Sequence, residues 1–215
     1  MDFMKIIKSL ELVLYELMVW LVFYPLTLVR ALFQPLKLME YADKELGDED
    51  DDRYSDTLSP PIFLAITLGL LHGIEMVGQL DTGYDGLLAD DEKLIAFRLV
   101  AFAIFPLMFS IRYLRSSKIA LDRKTLRSPF YAQCFAVGPF AFGIDTASIL
   151  DGFNVGTFIS IGTMIVALAW YLCVQVMWFH HKLEQSFTKA MGNTLRAFLE
   201  GLVAVAFLSA IAVSI

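Results

Sequence analysis

The chain has 215 residues, a net charge of −6 and 57% hydrophobic residues, with a mean hydropathy of +0.62. Soluble domains contain about 45–50% apolar residues, so the excess needs lipid rather than a larger aqueous core. Lysine and arginine form no basic recognition surface beyond what membrane topology requires, and nucleic acid is therefore not an expected partner.

The first forty residues predict a helix that lies along the membrane surface. Residues 17–29, LMVWLVFYPLTLV, are apolar but short for a span of about 20 residues. At about 100° per residue, polar residues recur on about one third of the helix circumference: Lys5, Lys8, Ser9, Glu16, Thr27, Arg30, Gln34, Lys37 and Tyr41. The pattern favours an amphipathic interfacial helix, or two helices joined near Pro25 or Pro35. A sixth span and a re-entrant segment are the alternatives.

An acidic stretch, GDEDDDRYSD, follows at residues 47–56. Its spaced aspartates resemble the start of an EF-hand loop, but Arg53 and Ser59 stand where that loop needs a glycine and an acidic residue. We therefore interpret residues 47–58 as a solvated linker. A loose cation site and a docking strip for a basic protein partner are the alternatives.

Five further apolar segments are long enough to cross a hydrocarbon core of about 30 Å as helices. They cover about residues 60–80, 94–114, 130–150, 154–178 and 193–215. Their apolar runs are continuous rather than alternating, which excludes a membrane β-barrel. The predicted fold is an all-α polytopic membrane protein, with an interfacial region at 1–46, the linker at 47–58 and a five-helix bundle at 59–215.

Positive charge is divided unequally between the two sides of these spans. Nearly all lysines and arginines fall on the side that holds the N-terminus, whereas the other side has Lys93, with Arg98 just inside a span. The positive-inside rule places the N-terminus in the cytoplasm and the C-terminus at the far face. We expect an integral protein of a bacterial inner membrane.

Charged and imidazole side chains inside the spans are the main functional signal. His72 and Glu75 lie one helical turn apart in the first span, within ITLGLLHGIEMVGQ. With a rise of about 1.5 Å per residue, Arg98 and Asp145 share their layer in the outer half of the membrane. An unpaired charge at the bilayer centre costs at least about 2.5–3.5 kcal/mol, so such residues pair or meet water. The predicted pairs are Arg98 with Asp145, His72 with Glu75 and, nearer the cytoplasmic end, Arg112 with Glu200.

Small residues recur on helical faces of the first, third and fourth spans. Such stripes let helix backbones approach closely, so we expect helix contacts at these glycines and a homo-oligomer. The glycines are Gly69 and Gly73, which form a GxxxG pair, together with Gly138 and Gly156.

The predicted topology combines a cytoplasmic N-terminal region, a Ser59-Pro60-Pro61 start to the first of five clustered spans and a C-terminus at the far face. This arrangement resembles the YIP-type family of five-span, Rab-interacting membrane proteins. It is also similar to small bacterial membrane proteins loosely labelled permeases. The resemblance covers residues 55–215 by topology, and TLSPPIFLAITL lacks the Tyr-Gly-Pro signature of eukaryotic members. It implies a bundle of clustered spans, and no functional residue is carried over.

Two functions from different classes fit this sequence. The first is a small channel or permease-like pathway for cations or protons. In it Glu75 and Asp145 attract cations or relay protons, Arg98 holds Asp145 in place, and His72 acts as a gate because histidine titrates near pH 6.5. The second is a non-transporting scaffold or interaction protein with structural ion pairs, whose N-terminal helix or acidic linker docks a protein partner.

Catalytic and metal-binding functions are not expected. The sequence has no Walker motif, nucleophile elbow, CxxC or HExxH, so we expect neither an enzyme nor a cofactor. His72 and Glu75 could share a metal, as pairs at this spacing do in helical di-iron bundles, but no second matching motif exists.

Overall fold

The computed structural model describes residues 3–46, 54, 56–80, 88 and 90–214. This part of the chain forms seven α-helices and no strand: α1 (Phe3–Phe33), α2 (Pro35–Glu45), α3 (Pro60–Val77), α4 (Asp91–Ser116), α5 (Arg123–Gly152), α6 (Thr157–Lys182) and α7 (Phe187–Ser214). The predicted all-α class is confirmed. Most of the predicted acidic linker, 47–58, lies outside the described residues.

Six of the described helices are long and apolar enough to cross a membrane. Five of them, α3 to α7, coincide with the predicted spans, and the chain is an integral membrane protein. The sixth is α1, whose apolar segment Ile7–Phe33 has 27 residues. The sequence prediction counted only residues 17–29, because it ended the apolar run at Glu16, whereas the helix continues through Glu16 and Pro25. By length and composition, the candidate spans therefore number six rather than five.

The helix α1 packs on the bundle with its C-terminal part. The Tyr24 ring lies 5.7 Å from that of Phe63 in α3, measured between centroids, and the Thr27 hydroxyl accepts a hydrogen bond from the Leu58 amide over 3.3 Å. By contrast, every residue from 7 to 18 is exposed. The segment 7–18 of α1 is thus exposed on all faces rather than packed against the bundle.

A polar junction joins α1, α2 and the segment that leads into α3. The Tyr41 hydroxyl donates a hydrogen bond to Asp56 over 2.6 Å, and the Arg30 guanidinium lies 2.8 Å from the other oxygen of the same carboxylate. These contacts, with the Tyr41 hydrogen bond foremost, hold the pKa of Asp56 below its ordinary value. We call these three residues the Asp56 junction.

The helix α2 begins at Pro35, after a break at Gln34, which was one of the two predicted joining points. Proline fits this first helical position because its missing N–H would have no partner there. Asp43 accepts a hydrogen bond from the Ser128 hydroxyl at the start of α5 and pairs with Lys182 at the end of α6 over 2.6 Å. The buried face of α2 consists of Leu38, Met39 and Ala42.

The central helix of the bundle is α5, which packs against α2, α3, α4 and α6. Tyr171 of α6 is fully buried and stacks on Phe140 of α5 with ring centroids 4.5 Å apart. Phe109 of α4 meets the same tyrosine edge-on at 5.6 Å. Aromatic side chains therefore fill the middle of the bundle.

The four glycines predicted to mark helix packing have different surroundings. A Cβ at Gly138 would collide with the ring of Phe63, so this glycine lets α3 approach α5. Gly69 and Gly73 have open space within 4 Å, and their GxxxG pair makes no helix contact among the described residues, because α3 buries a neighbouring face instead. Gly156 precedes α6 with φ of 135°, in open space, so it serves the turn rather than a helix contact.

Candidate functional site

We call the end of the bundle where α3 and α5 end and α4 and α6 begin the distal end. The opposite end, which holds α2 and loops 117–122 and 183–186, is the proximal end. Since α3 and α5 run towards the distal end and α4 begins there, Glu75, Arg98 and Asp145 come to a common level near it. The structure brings these three residues and His72 together, and all four are buried.

A buried two-pronged ion pair lies at the centre of this cluster. One guanidinium nitrogen of Arg98 lies 2.5 Å from Glu75 Oε2, and the other donates to Glu75 Oε1 over 3.2 Å. The side chains are only 9% and 5% exposed. A guanidinium fork on a carboxylate combines directional hydrogen bonds with charge attraction, so the pair joins α3 to α4.

Local structure at the distal end brings the partners of this pair into register. The helix α3 ends at Val77, two residues after Glu75, with Gly78 as its C-cap. The helix α4 then starts behind Asp90, whose side chain accepts hydrogen bonds from the amides of residues 92 and 93 and caps the helix. Arg98 therefore lies in the second turn of α4, opposite the last turn of α3.

The predicted pairing of Arg98 with Asp145 is wrong, because Glu75 takes the direct contact. Asp145 interacts with both residues of the pair by charge. It is 6% exposed, and its Oδ2 atom makes no hydrogen bond among the described residues. The sequence located both carboxylates at the same depth, but depth does not tell which of them the guanidinium faces.

His72 adds an imidazole to the same cluster. It lies one turn before Glu75, and its Nδ1 atom is 3.8 Å from Glu75 Oε2, which is too long for a hydrogen bond. Nδ1 has no hydrogen-bond partner among the described residues. Buried polar atoms in proteins are normally hydrogen-bonded, so the open positions on His72 and Asp145 need a physical explanation.

The cluster thus combines a paired charge with two unfilled positions. The Glu75–Arg98 pair is neutral as a unit, and Asp145 adds one negative charge when ionised. A proton or a small cation at Asp145 would remove that charge from the buried site, where an unpaired charge is costly. No family model, curated protein or solved structure matches the chain.

Arg112 and Glu200, which were predicted to pair with each other, each have another direct partner. The Arg112 Nε atom donates instead to the side-chain oxygen of Asn193 on α7 over 2.9 Å. Glu200 accepts a hydrogen bond from Arg196 on its own helix over 3.0 Å. Residues four apart share a helix face, so the local partner reaches the carboxylate without any requirement on how α4 and α7 pack.

Sequence reasoning missed a second buried polar contact, between α5 and α6. Gln133 and Gln175 exchange two side-chain hydrogen bonds, over 2.9 Å and 2.6 Å, and neither residue is exposed. Glutamine inside an apolar span forms hydrogen bonds across helices, so the two residue types were a usable signal. In this amide pair each side-chain nitrogen and each side-chain oxygen has a hydrogen-bond partner, so we interpret its role as structural.

Three surface cavities of about 480–550 Å³ lie away from the polar cluster. One lies between α4 and α5 at the proximal end, one along the outer face of α7 and one between α2 and α6. None of the three is lined by His72, Glu75, Arg98 or Asp145. The cluster is an enclosed site within the bundle.

Proposed function

We propose that this integral membrane protein provides a small permease-like pathway for protons or cations, with Asp145 as the group that binds the moving ion. The observation that carries the proposal is the open Oδ2 atom of Asp145 beside a neutral Glu75–Arg98 pair. Buried carboxylate oxygens in proteins normally have a hydrogen-bond partner, so the open Oδ2 atom supports a role for Asp145 in binding an ion.

Each residue of the cluster has a distinct role in this proposal. Arg98 and Glu75 hold α3 and α4 together and give the site a fixed positive and a fixed negative charge. Asp145 accepts a proton or a cation, because the positive charge of the bound ion cancels the negative charge of the carboxylate. His72 is a second proton acceptor and donor within the same layer, since its Nδ1 atom is also open.

The proposed orientation has the proximal end in the cytoplasm. Arg115, Lys118, Arg123 and Lys124 belong to the short connection between α4 and α5 or to the helix turns beside it, and the charge of short loops sets membrane orientation. The polar cluster would then lie towards the extracytoplasmic face, and the acidic side chains of Asp90, Asp91 and Glu92 would concentrate cations at its mouth.

The test is flux through purified protein in liposomes. An imposed potassium diffusion potential would drive protons, and an internal pH dye would report them from about pH 5 to 8, a range that brackets histidine titration. We expect flux in the unaltered chain and a loss of at least tenfold in Asp145→Asn. The matched control is Asp151→Asn, the same change at an exposed position of the same helix, which should keep the flux.

A tight vesicle at every pH, with protein that is folded and incorporated, would contradict the pathway. So would equal flux in the Asp145→Asn and Asp151→Asn variants. Repeating the assay with a sodium or potassium gradient in place of a proton gradient separates a proton pathway from a cation pathway within the same proposal.

A scaffold of the YIP-like type is the second candidate. The observation that favours it is the aromatic filling around Tyr171, which leaves the middle of the bundle closely packed, together with the exposed N-terminal half of α1. In this case Asp145→Asn would change neither flux nor fold, and deletion of residues 2–18 would abolish recruitment of a protein partner.

A further inference from the structure

A groove of about 550 Å³ lies on the proximal part of the bundle, between α4 and the first turns of α5. Its walls are apolar and aromatic except for two arginines. The lining residues are Leu107, Arg123, Leu126, Arg127, Phe130 and Tyr131. This combination places cationic groups next to a surface that suits hydrocarbon.

The length of α5 gives the depth of this groove in a bilayer. At a rise of about 1.5 Å per residue, the 30 residues of α5 extend over about 45 Å, close to the full bilayer thickness of about 40–45 Å with headgroups. With α5 along the membrane normal, Gly152 at the distal end would lie at one surface and Arg123 among the headgroups of the other. Phe130, two turns further in, lies near the edge of the hydrocarbon.

Within the part of the chain that the structure describes, no acidic side chain pairs with the two arginines. Among the described residues neither Arg123 nor Arg127 forms an ion pair, and Arg127 lies over the ring of Tyr131 at 5.4 Å. The nearest acid in sequence, Asp122, accepts hydrogen bonds from the amides of residues 124 and 125 and so caps α5. None of the described lining residues is a carboxylate.

We propose that this groove binds an anionic phospholipid, with the headgroup phosphate on Arg123 and Arg127 and an acyl chain along Leu107 and Phe130. One guanidinium group can donate two parallel hydrogen bonds to the oxygens of a phosphate. Basic pockets between membrane helices are typical sites for anionic headgroups. The apolar walls select a lipid over a soluble phosphate, because they would otherwise face solvent or detergent.

A second groove, between α2 and α6, is less suited to an anionic headgroup. That groove contains Lys37, His180, His181 and Lys182, but also the acids Glu40 and Asp43. Asp43 pairs with Lys182, so its cations are partly neutralised. In the α4–α5 groove, the charged side chains among the described lining residues are both cations.

The experiment is native mass spectrometry of the full chain in detergent, titrated with dioleoyl phosphatidylglycerol or with dioleoyl phosphatidylcholine. We expect one phosphatidylglycerol to bind more tightly than phosphatidylcholine. The Arg123→Gln/Arg127→Gln variant should lose about 30-fold in affinity, which corresponds to about 1 kcal/mol for each cation beside an anionic lipid. Thermal melting of each variant in detergent would show that it is folded.

The matched control is Arg115→Gln/Lys118→Gln, which removes the same charge from exposed positions outside the groove. It should bind phosphatidylglycerol within about twofold of the unaltered chain. Equal affinity for the two lipids would overturn the proposal, as would an equal loss in both double variants, since that result would indicate general charge attraction. The outcome is independent of whether the protein conducts ions.

Discussion

Substitution of Glu75 by glutamine isolates the energetic role of the central ion pair. The change keeps the shape of the side chain but removes the carboxylate charge that the Arg98 guanidinium contacts directly, and that guanidinium side chain is only 9% exposed. Breaking one half of a buried pair costs about 3–5 kcal/mol, which is about 100- to 4,000-fold in the unfolding equilibrium constant. The loss should be measurable by reversible unfolding in mixed detergent micelles.

Two companion variants make this prediction specific. Asp145→Asn should cost no more than about 1 kcal/mol, because its Oδ2 atom has no hydrogen-bond partner to lose. The double change Glu75→Gln/Arg98→Gln should be less destabilising than Glu75→Gln alone, because both buried charges are then removed. The reasoning is refuted if Asp145→Asn costs more than Glu75→Gln, or if the two changes at Glu75 and Arg98 add independently.

Three further predictions concern packing, the amide pair and pH. Gly138→Ala should destabilise the fold by about 1–3 kcal/mol through its clash with an α3 ring, whereas Gly69→Ala, in open space, should not; equal melting temperatures would contradict this. Gln133→Leu should cost about 1–3 kcal/mol by leaving the Gln175 amide unpaired, and leucine at both positions should recover part of the loss in the same unfolding assay. The lowered pKa of Asp56 adds stability that is complete above the unfolded-state pKa of about 3.9 and disappears as pH falls through the folded-state value. Melting curves at decreasing pH should therefore lose this increment in the unaltered chain but not in Asp56→Asn.

The sequence predicted the spanning helices well because their signal is local. Continuous apolar runs of sufficient length have few alternatives in a membrane, and α3 to α7 follow them. The helix α1 was underestimated because Glu16 interrupts the apolar run, although one carboxylate at the exposed surface of a helix does not end it.

The candidate site was predictable in depth but not in direction. Residue number and rise per residue gave the common level of Glu75, Arg98 and Asp145. Which carboxylate the guanidinium meets depends on how far each helix is rotated about its axis, and the rotation is set by contacts such as Gly138 against Phe63. Those contacts join residues far apart in the sequence, so a single chain read in order does not reveal them.

The docking of α2 has a consequence for the order in which the protein is assembled. Asp43 bonds to Ser128, 85 residues later, and pairs with Lys182 at the end of α6. A chain is synthesised from its N-terminus, so α2 leaves the ribosome long before either partner exists. Its buried face of Leu38, Met39 and Ala42 cannot be covered before α5, its main neighbour, has been synthesised. The pair of Asp43 with Lys182 forms only after α6, so the complete seating of α2 is a late step of assembly.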